Sequence, residues 1–303
     1  MAAQQADLVT CGYLLRQARK RQRLSQLELA LRVGASQRHL SFVETGRSTA
    51  SRGMLVALAD ALGMSPAGCN QLLLASGFAP RYGQRPLDDR QMAPVRQALA
   101  HLLTVHDPFP AWVLDSSWNL LQFNRGADLL VGSITGRRLS EGGGELNVLE
   151  AILHPQGLRP AIENFDEVAA HLYHQSQAES VHTPALAQLL ARLAPLWPAS
   201  VTGNVGAGSG GGNGARSQPG TTQSPVLSTR LRTPAGKLSF FSTFTTFGTP
   251  LDITVASLRV EHQFAADEQT AEAMRRLAGT ADSRGAEDAP NPMTGDRSET
   301  SDA

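Results

Sequence analysis

Between residues 8 and 80, apolar side chains return every three or four positions in short runs separated by turn residues, with almost no β-branched stretches. This periodicity predicts five short helices. Tyr13, Leu14 and Leu15 open the first, and the basic run Arg19-Lys20-Arg21-Gln22-Arg23 closes it, where positive charge suits the helix dipole. Ser25-Gln26-Leu27-Glu28 reads as a capping box starting the second helix at Gln26. Gly34 supplies a tight turn, Ser36 caps a third helix running to about Val43, and Gly46 ends it. Ser51 caps a fourth carrying Leu55, Leu58 and Leu62 on one stripe, and Ser65-Pro66 starts a fifth that reaches about Gly77.

Beyond a connector at 81–92 the pattern changes. A helical stretch through Val95, Leu99 and Leu103 leads to two short strands, Ala111–Asp115 and Trp118–Phe123, around an Asp-Ser turn. Helical spacing follows at 124–131, 146–153, 161–178 and 183–193. Two strands, Leu227–Thr233 and Lys237–Phe247, are joined by the hairpin signal Pro234-Ala235-Gly236; a last strand spans Leu258–Phe264, and Asp267 caps a final helix to about Leu277. The expected organisation is an all-α domain over 8–80 and an α/β domain over 93–278. Residues 199–225, rich in Gly, Ser and Thr, and the polar tail 279–303 are expected to lack fixed structure. Within the former, Gly206-Ala207-Gly208-Ser209-Gly210-Gly211 matches a dinucleotide fingerprint in spelling only, because no strand precedes it and no helix follows.

Charge sharpens this division. The chain balances 27 basic against 27 acidic residues, yet its first 80 residues carry a net +5 and the remainder −5. A local excess of this kind marks a domain that meets polyanionic phosphate. No apolar run approaches membrane-spanning length and the N-terminus lacks a secretory signal pattern, so a cytoplasmic protein with no membrane partner is expected.

The stretch from Leu24 to Arg47, with Gln26, Ala30, Gly34, Leu40, Glu44 and Gly46 at matching spacing, resembles the Cro/repressor-type (XRE) helix-turn-helix. Ala30 is small where two helices cross, Gly34 makes the turn, and Leu40 and Val43 face the core. The resemblance implies a five-helix repressor-type domain whose third helix enters the major groove of double-stranded DNA. Gln37, Arg38, Ser41 and Phe42 then read bases, with His39 at the edge of that face. Arg19, Arg23, Gln26, Thr45 and Arg47 suit phosphate contact, which positions without reading sequence. One helix reads only a few base pairs, so a homodimer on a roughly palindromic site is expected.

Arg38-His-Leu-Ser-Phe-Val-Glu-Thr-Gly-Arg47, Leu73–Pro80, Leu153-His-Pro-Gln-Gly-Leu158 and Phe240–Asp252 together resemble the MmyB-like regulators. That family implies a PAS-like domain holding a small apolar ligand, with a fatty acid the leading suggestion and no cofactor. Trp112, Val113, Leu121, Phe123, Leu238, Phe240 and Phe244 fall where they would line such a cavity, although the same residues would fill the core of any sheet. Arg230 or Arg232 is the expected anchor for an acyl carboxylate. A domain that instead recruits a protein partner is the alternative.

Enzymatic readings have little support, since no nucleophile elbow or phosphate loop is present. Glu167, His171 and His174 have helical spacing that could ligate a metal, but no further ligand is recognisable, and a polar helix face is the simpler reading.

Overall fold

Thr10, Ser25, Ser36, Ser51 and Ser65 open the first five helices, each hydroxyl accepting a hydrogen bond from the backbone N–H three residues on. The computed structural model describes residues 10–180, 183–202 and 226–287. The capped helices are α1 (Cys11–Arg21), α2 (Gln26–Arg32), α3 (Gln37–Glu44), α4 (Arg52–Ala61) and α5 (Pro66–Ala75). They are followed by α6 (Ala93–His106), β1 (Ala111–Leu114), β2 (Leu120–Phe123), α7 (Arg125–Thr135), α8 (Val148–Leu153), α9 (Phe165–Ser180), α10 (Pro184–Leu193) and α11 (Ala199–Thr202). The rest of the order is β3 (Ser228–Thr233), β4 (Gly236–Thr246), α12 (Ile253–Ser257), β5 (Arg259–Ala265) and α13 (Glu268–Glu287).

Two of these elements correct the sequence reading. Ala199–Thr202 forms a helical turn with Val201 buried, where no fixed structure was expected. The last helix continues past Leu277 to Glu287, through Gly279 and Gly285, since glycine weakens a helix without ending it and the first proline after Leu277 is Pro290. Residues 203–225, with the Gly-rich fingerprint, and the tail 288–303 lie outside the described residues.

Packing divides the chain into two compact units. The first takes in Met1–Ala100 with the segments Glu179–Pro184 and Thr245–Arg259; the second comprises His101–Ala178, Ala185–Phe244 and Val260–Ala303. In the first, Leu15, Leu29, Leu40, Leu55, Leu58 and Leu72 meet in a fully buried core. Gly34 turns between α2 and α3 at φ +66°, a conformation glycine adopts without steric penalty. At Gly12 the need is space: a Cβ there would stand 2.5 Å from the carbonyl oxygen of Glu44, so α1 lies directly on the end of α3. Asp252 caps α12 through Thr254 N–H at 2.9 Å and pairs with Arg85 at 3.1 Å.

The second unit is built on a five-stranded sheet in the order β2-β1-β5-β4-β3, with β1 and β2 antiparallel and β3 and β4 antiparallel. Together with its packed helices it gives the α/β, PAS-like architecture. The β1–β2 turn is held by Asp115, whose Oδ1 accepts from Ser117 and Asn119 N–H, and it carries the buried Trp118 at φ +66°. Asn124 caps α7 through Ala127 N–H, while its amide nitrogen donates to the Phe109 carbonyl at 2.7 Å. Asn164 fixes β3: its Oδ1 accepts from Arg230 N–H at 2.9 Å and its Nδ2 donates to the Ser228 carbonyl at 2.8 Å. A backbone bond from Glu163 to Arg230, 2.8 Å, completes the clamp.

Candidate nucleic-acid interface and apolar cavity

Helix α3 buries Leu40, Val43 and Glu44 and leaves a second stripe outward. Gln37, Ser41 and Thr45 follow one another at intervals of four on that stripe, and Arg38 and Phe42 run beside them. Gln37, Arg38, Thr45 and Arg47 are exposed; His39, Ser41 and Phe42 are half-buried. The Arg38 guanidinium lies 5.3 Å over the Phe42 ring, a cation–π contact that aims it along the helix surface. Thr45 Oγ1 donates to the Ser41 carbonyl at 2.8 Å, which leaves its oxygen as an acceptor. Arg23, exposed just past α1, has φ +53°.

Arg19 corrects the sequence reading. Its side chain is only 12% exposed; Nε donates to Glu44 Oε1 at 2.6 Å, Nη2 to Oε2 at 2.8 Å, and Nη1 to the Leu24 carbonyl at 2.9 Å. The guanidinium is therefore an internal brace between α1 and α3, not an outward phosphate contact. Gln26, half-buried, donates its amide to Glu44 Oε2 at 2.9 Å, and Arg16 stands 3.9 Å away. Glu44 has 0% side-chain exposure. Burial alone would raise its pKa, but hydrogen bonds from Arg19 and Gln26 and the charges of Arg19 and Arg16 outweigh that and hold it below the ordinary carboxylate value.

Within the second unit, a cavity of about 350 Å³ lies between one sheet face and α7, α8 and α9. Trp112, Phe240 and the half-open Phe244 line it, joined by residues that sequence reasoning did not single out, including Leu130, Ile134, Ile152 and Leu172. Helical spacing marks these as apolar but not as facing a void. Four expected lining residues lie elsewhere. Leu238 belongs to the filled core, Val113 is fully buried away from the cavity, Phe123 does not reach it, and Leu121 is 40% exposed because it points off the opposite side of β2. Strand alternation also turns Arg230 and Arg232 away from it: Thr229 and Leu231 face the cavity, while the two arginines are exposed and stand 3.6 Å from Glu167 and 3.5 Å from Glu163.

The cavity's polar groups are clustered. Trp112 Nε1 donates to Glu261 Oε2 at 2.7 Å, and Gln263 Nε2 donates both to Glu261 Oε1 and to Ser242 Oγ at 2.8 Å. His171 lines the cavity from α9, whereas Glu167 accepts from Asn164 and the His174 ring packs against Tyr173. Among the described residues no group of three His, Cys, Asp or Glu side chains is gathered as a metal site would require, and no helix is long and apolar enough to cross a membrane.

A helix-turn-helix family model matches residues 15–68, the region of the capped helices. No curated protein matches the chain. The model of the MmyB-like transcription regulator ligand binding domain matches residues 95–277. That match covers more than half of the 303 residues and takes in every strand of the sheet, and with the helix-turn-helix before it the chain belongs to the MmyB-like transcription regulators, DNA-binding proteins of the XRE type.

Proposed function

We propose that this DNA-binding regulator responds to a small molecule with an aliphatic body, of the fatty-acyl kind, held in the cavity between the sheet and α7–α9. The observation that carries the reading is the cavity itself, about 350 Å³ and walled mainly by hydrocarbon, set beside the domain's buried core. Interiors of this kind normally close on themselves, and a pocket of a few hundred Å³ with a small set of polar groups is the usual form of a small-molecule site. On the DNA side, Gln37, Arg38, Ser41 and Phe42 read bases, and Arg23, Gln26, Thr45 and Arg47 hold phosphates, in a homodimer that spans two half-sites. Ligand binding changes operator affinity by favouring one of two arrangements of the protein, which requires unequal affinity for them.

Native mass spectrometry of the purified protein, with gel-shift titration on a selected operator, tests this. A co-purifying acyl-type molecule whose removal changes operator affinity is expected, and Ile134→Trp, which fills the cavity, is expected to abolish that response while leaving DNA binding intact. A consistently empty protein whose unfolding temperature no aliphatic probe moves would overturn the reading and assign the domain to a protein partner.

A further inference from the structure

The stretch of chain that follows α5 is fastened twice within a few residues. Asn70, buried on α5, accepts from Arg81 and Tyr82 N–H at 2.8 and 3.1 Å and donates to the Tyr82 carbonyl at 2.8 Å. The next residue, Gly83, forms a parallel bridge with Asp252, and its carbonyl accepts from Ile253 N–H at 2.8 Å. Arg85 Nη1 then donates to Asp252 Oδ2 at 3.1 Å. These bonds tie α5 to the start of α12, which packs on α5, all inside the first unit.

On both sides of α12 the chain leads to the cavity. Phe244, the last β4 residue of the second unit, lines it; Thr245–Arg259 packs in the first unit; and Glu261, two residues further on, lines it again. The β4–β5 connection thus has both feet in the cavity wall and its tip on the helix-turn-helix unit.

We propose that the Gly83–Asp252 clasp couples the helix-turn-helix to the strands that wall the cavity, and so is the joint through which a bound molecule changes operator affinity. The Arg85 side chain is 42% exposed, so breaking its pair with Asp252 costs less than breaking the wholly buried grip of Arg19 on Glu44. A joint of that strength can open and close in a folded protein, and two ligands that favour different positions of it influence each other reciprocally. Gly83 allows the clasp to be opened without removing a charge. An added Cβ would stand 2.7 Å from Arg85 Nη1 and 3.0 Å from Asp252 Oδ2, so Gly83→Ala drives the guanidinium off the carboxylate and leaves the Asp252 cap of α12 in place.

The coupling deepens the proposed ligand response and rests on it for its purpose, but operator alone tests it. All three tryptophans, Trp112, Trp118 and Trp197, lie in the second unit, so tryptophan fluorescence follows the unfolding of that unit. In urea titrations of the full chain, a selected operator duplex roughly one hundredfold above its dissociation constant is expected to raise the tryptophan midpoint of the unsubstituted protein. Gly83→Ala and Arg85→Gln are expected to lose most of that shift, each compared at the same excess over its own dissociation constant. No shift in the unsubstituted protein, or a full shift in either variant, overturns the coupling whatever the cavity binds. Arg85→Gln, which leaves the backbone bonds of Gly83 in place, decides if Gly83→Ala does not fold. An empty cavity in a protein whose variants lose the shift overturns the ligand reading and leaves the coupling standing.

Discussion

Arg19 grips both carboxylate oxygens of Glu44, at 2.6 and 2.8 Å, across 25 residues of sequence and with the carboxylate wholly out of solvent. Removing one partner leaves the other desolvated, which costs about 3–5 kcal/mol for a buried pair. Glu44→Ala is therefore expected to lower the unfolding free energy of the N-terminal helices, measured by urea titration, by an amount of that order, and Arg19→Met to come close to it. The pair also sets a pH dependence. Because the folded carboxyl titrates below its ordinary value of 4.5, the unfolded chain takes up the proton first on acidification. The stabilisation is complete above that ordinary value and disappears as pH falls through the lower folded one. Unfolding curves between pH 7 and pH 3 should show a loss that Glu44→Gln removes.

Base reading and phosphate contact separate by substitution. Arg38→Ala is expected to relax preference at one position of the site, by about 1–3 kcal/mol for a lost two-point contact. Arg47→Ala should weaken binding to every sequence alike. Phe42→Ala, which removes the ring beneath the Arg38 guanidinium, should blunt the same preference as Arg38→Ala. Selection on randomised duplexes measures all three, and unchanged preference for Arg38→Ala would remove it from the reading face.

Arg23 offers a case in which stability and function move apart. A side chain at φ +53° just past a helix end occupies a position where glycine is favoured, at a cost of roughly 1 kcal/mol. Arg23→Gly is expected to leave the thermal midpoint equal or higher while lowering DNA affinity and flattening its salt dependence by one counterion. A drop in stability would show that the side chain has a structural role.

His262 has its pKa pushed down, first by burial and then by the charge of His106, whose ring lies 4.8 Å away. Here the unfolded chain binds the proton at the higher pH, so stability should fall as pH drops from about the ordinary value of 6.5. Equilibrium unfolding from pH 8 to pH 5 checks the sign, and His262→Leu should reduce the slope.

Local chemistry made the N-terminal helices legible in the sequence. A serine followed at helical spacing by its acceptor-seeking N–H declares a helix start, and Ser25 with Glu28 does so twice over. What composition could not reveal was the fate of each charge. Arg19 adds to the basic count, but its partner lies 25 residues away, and only the crossing of α1 over α3 at Gly12 brings them together. The cavity shows the same divide. Trp112 and Phe240 were visible as strand residues on an alternating face, whereas Ile134, Ile152 and Leu172 come from three helices whose facing is set by tertiary packing. Leu121 escapes the alternation because the β1–β2 register shifts between Val113 and Leu114, a bulge that adds one residue to β2 and that no hydrophobic pattern announces.

The clamp on β3 has an evolutionary consequence. The strand follows a glycine-rich stretch, and a slip of a single residue would swing Arg230 and Arg232 inward and Thr229 and Leu231 out. Asn164 and Glu163 lock the strand from the side, through Ser228 and Arg230. The phase of β3 is thereby independent of how many residues precede it. Insertions and deletions in the glycine-rich stretch can accumulate as neutral drift without rewriting the wall of the cavity, whereas a change at Asn164 exposes every one of them to selection.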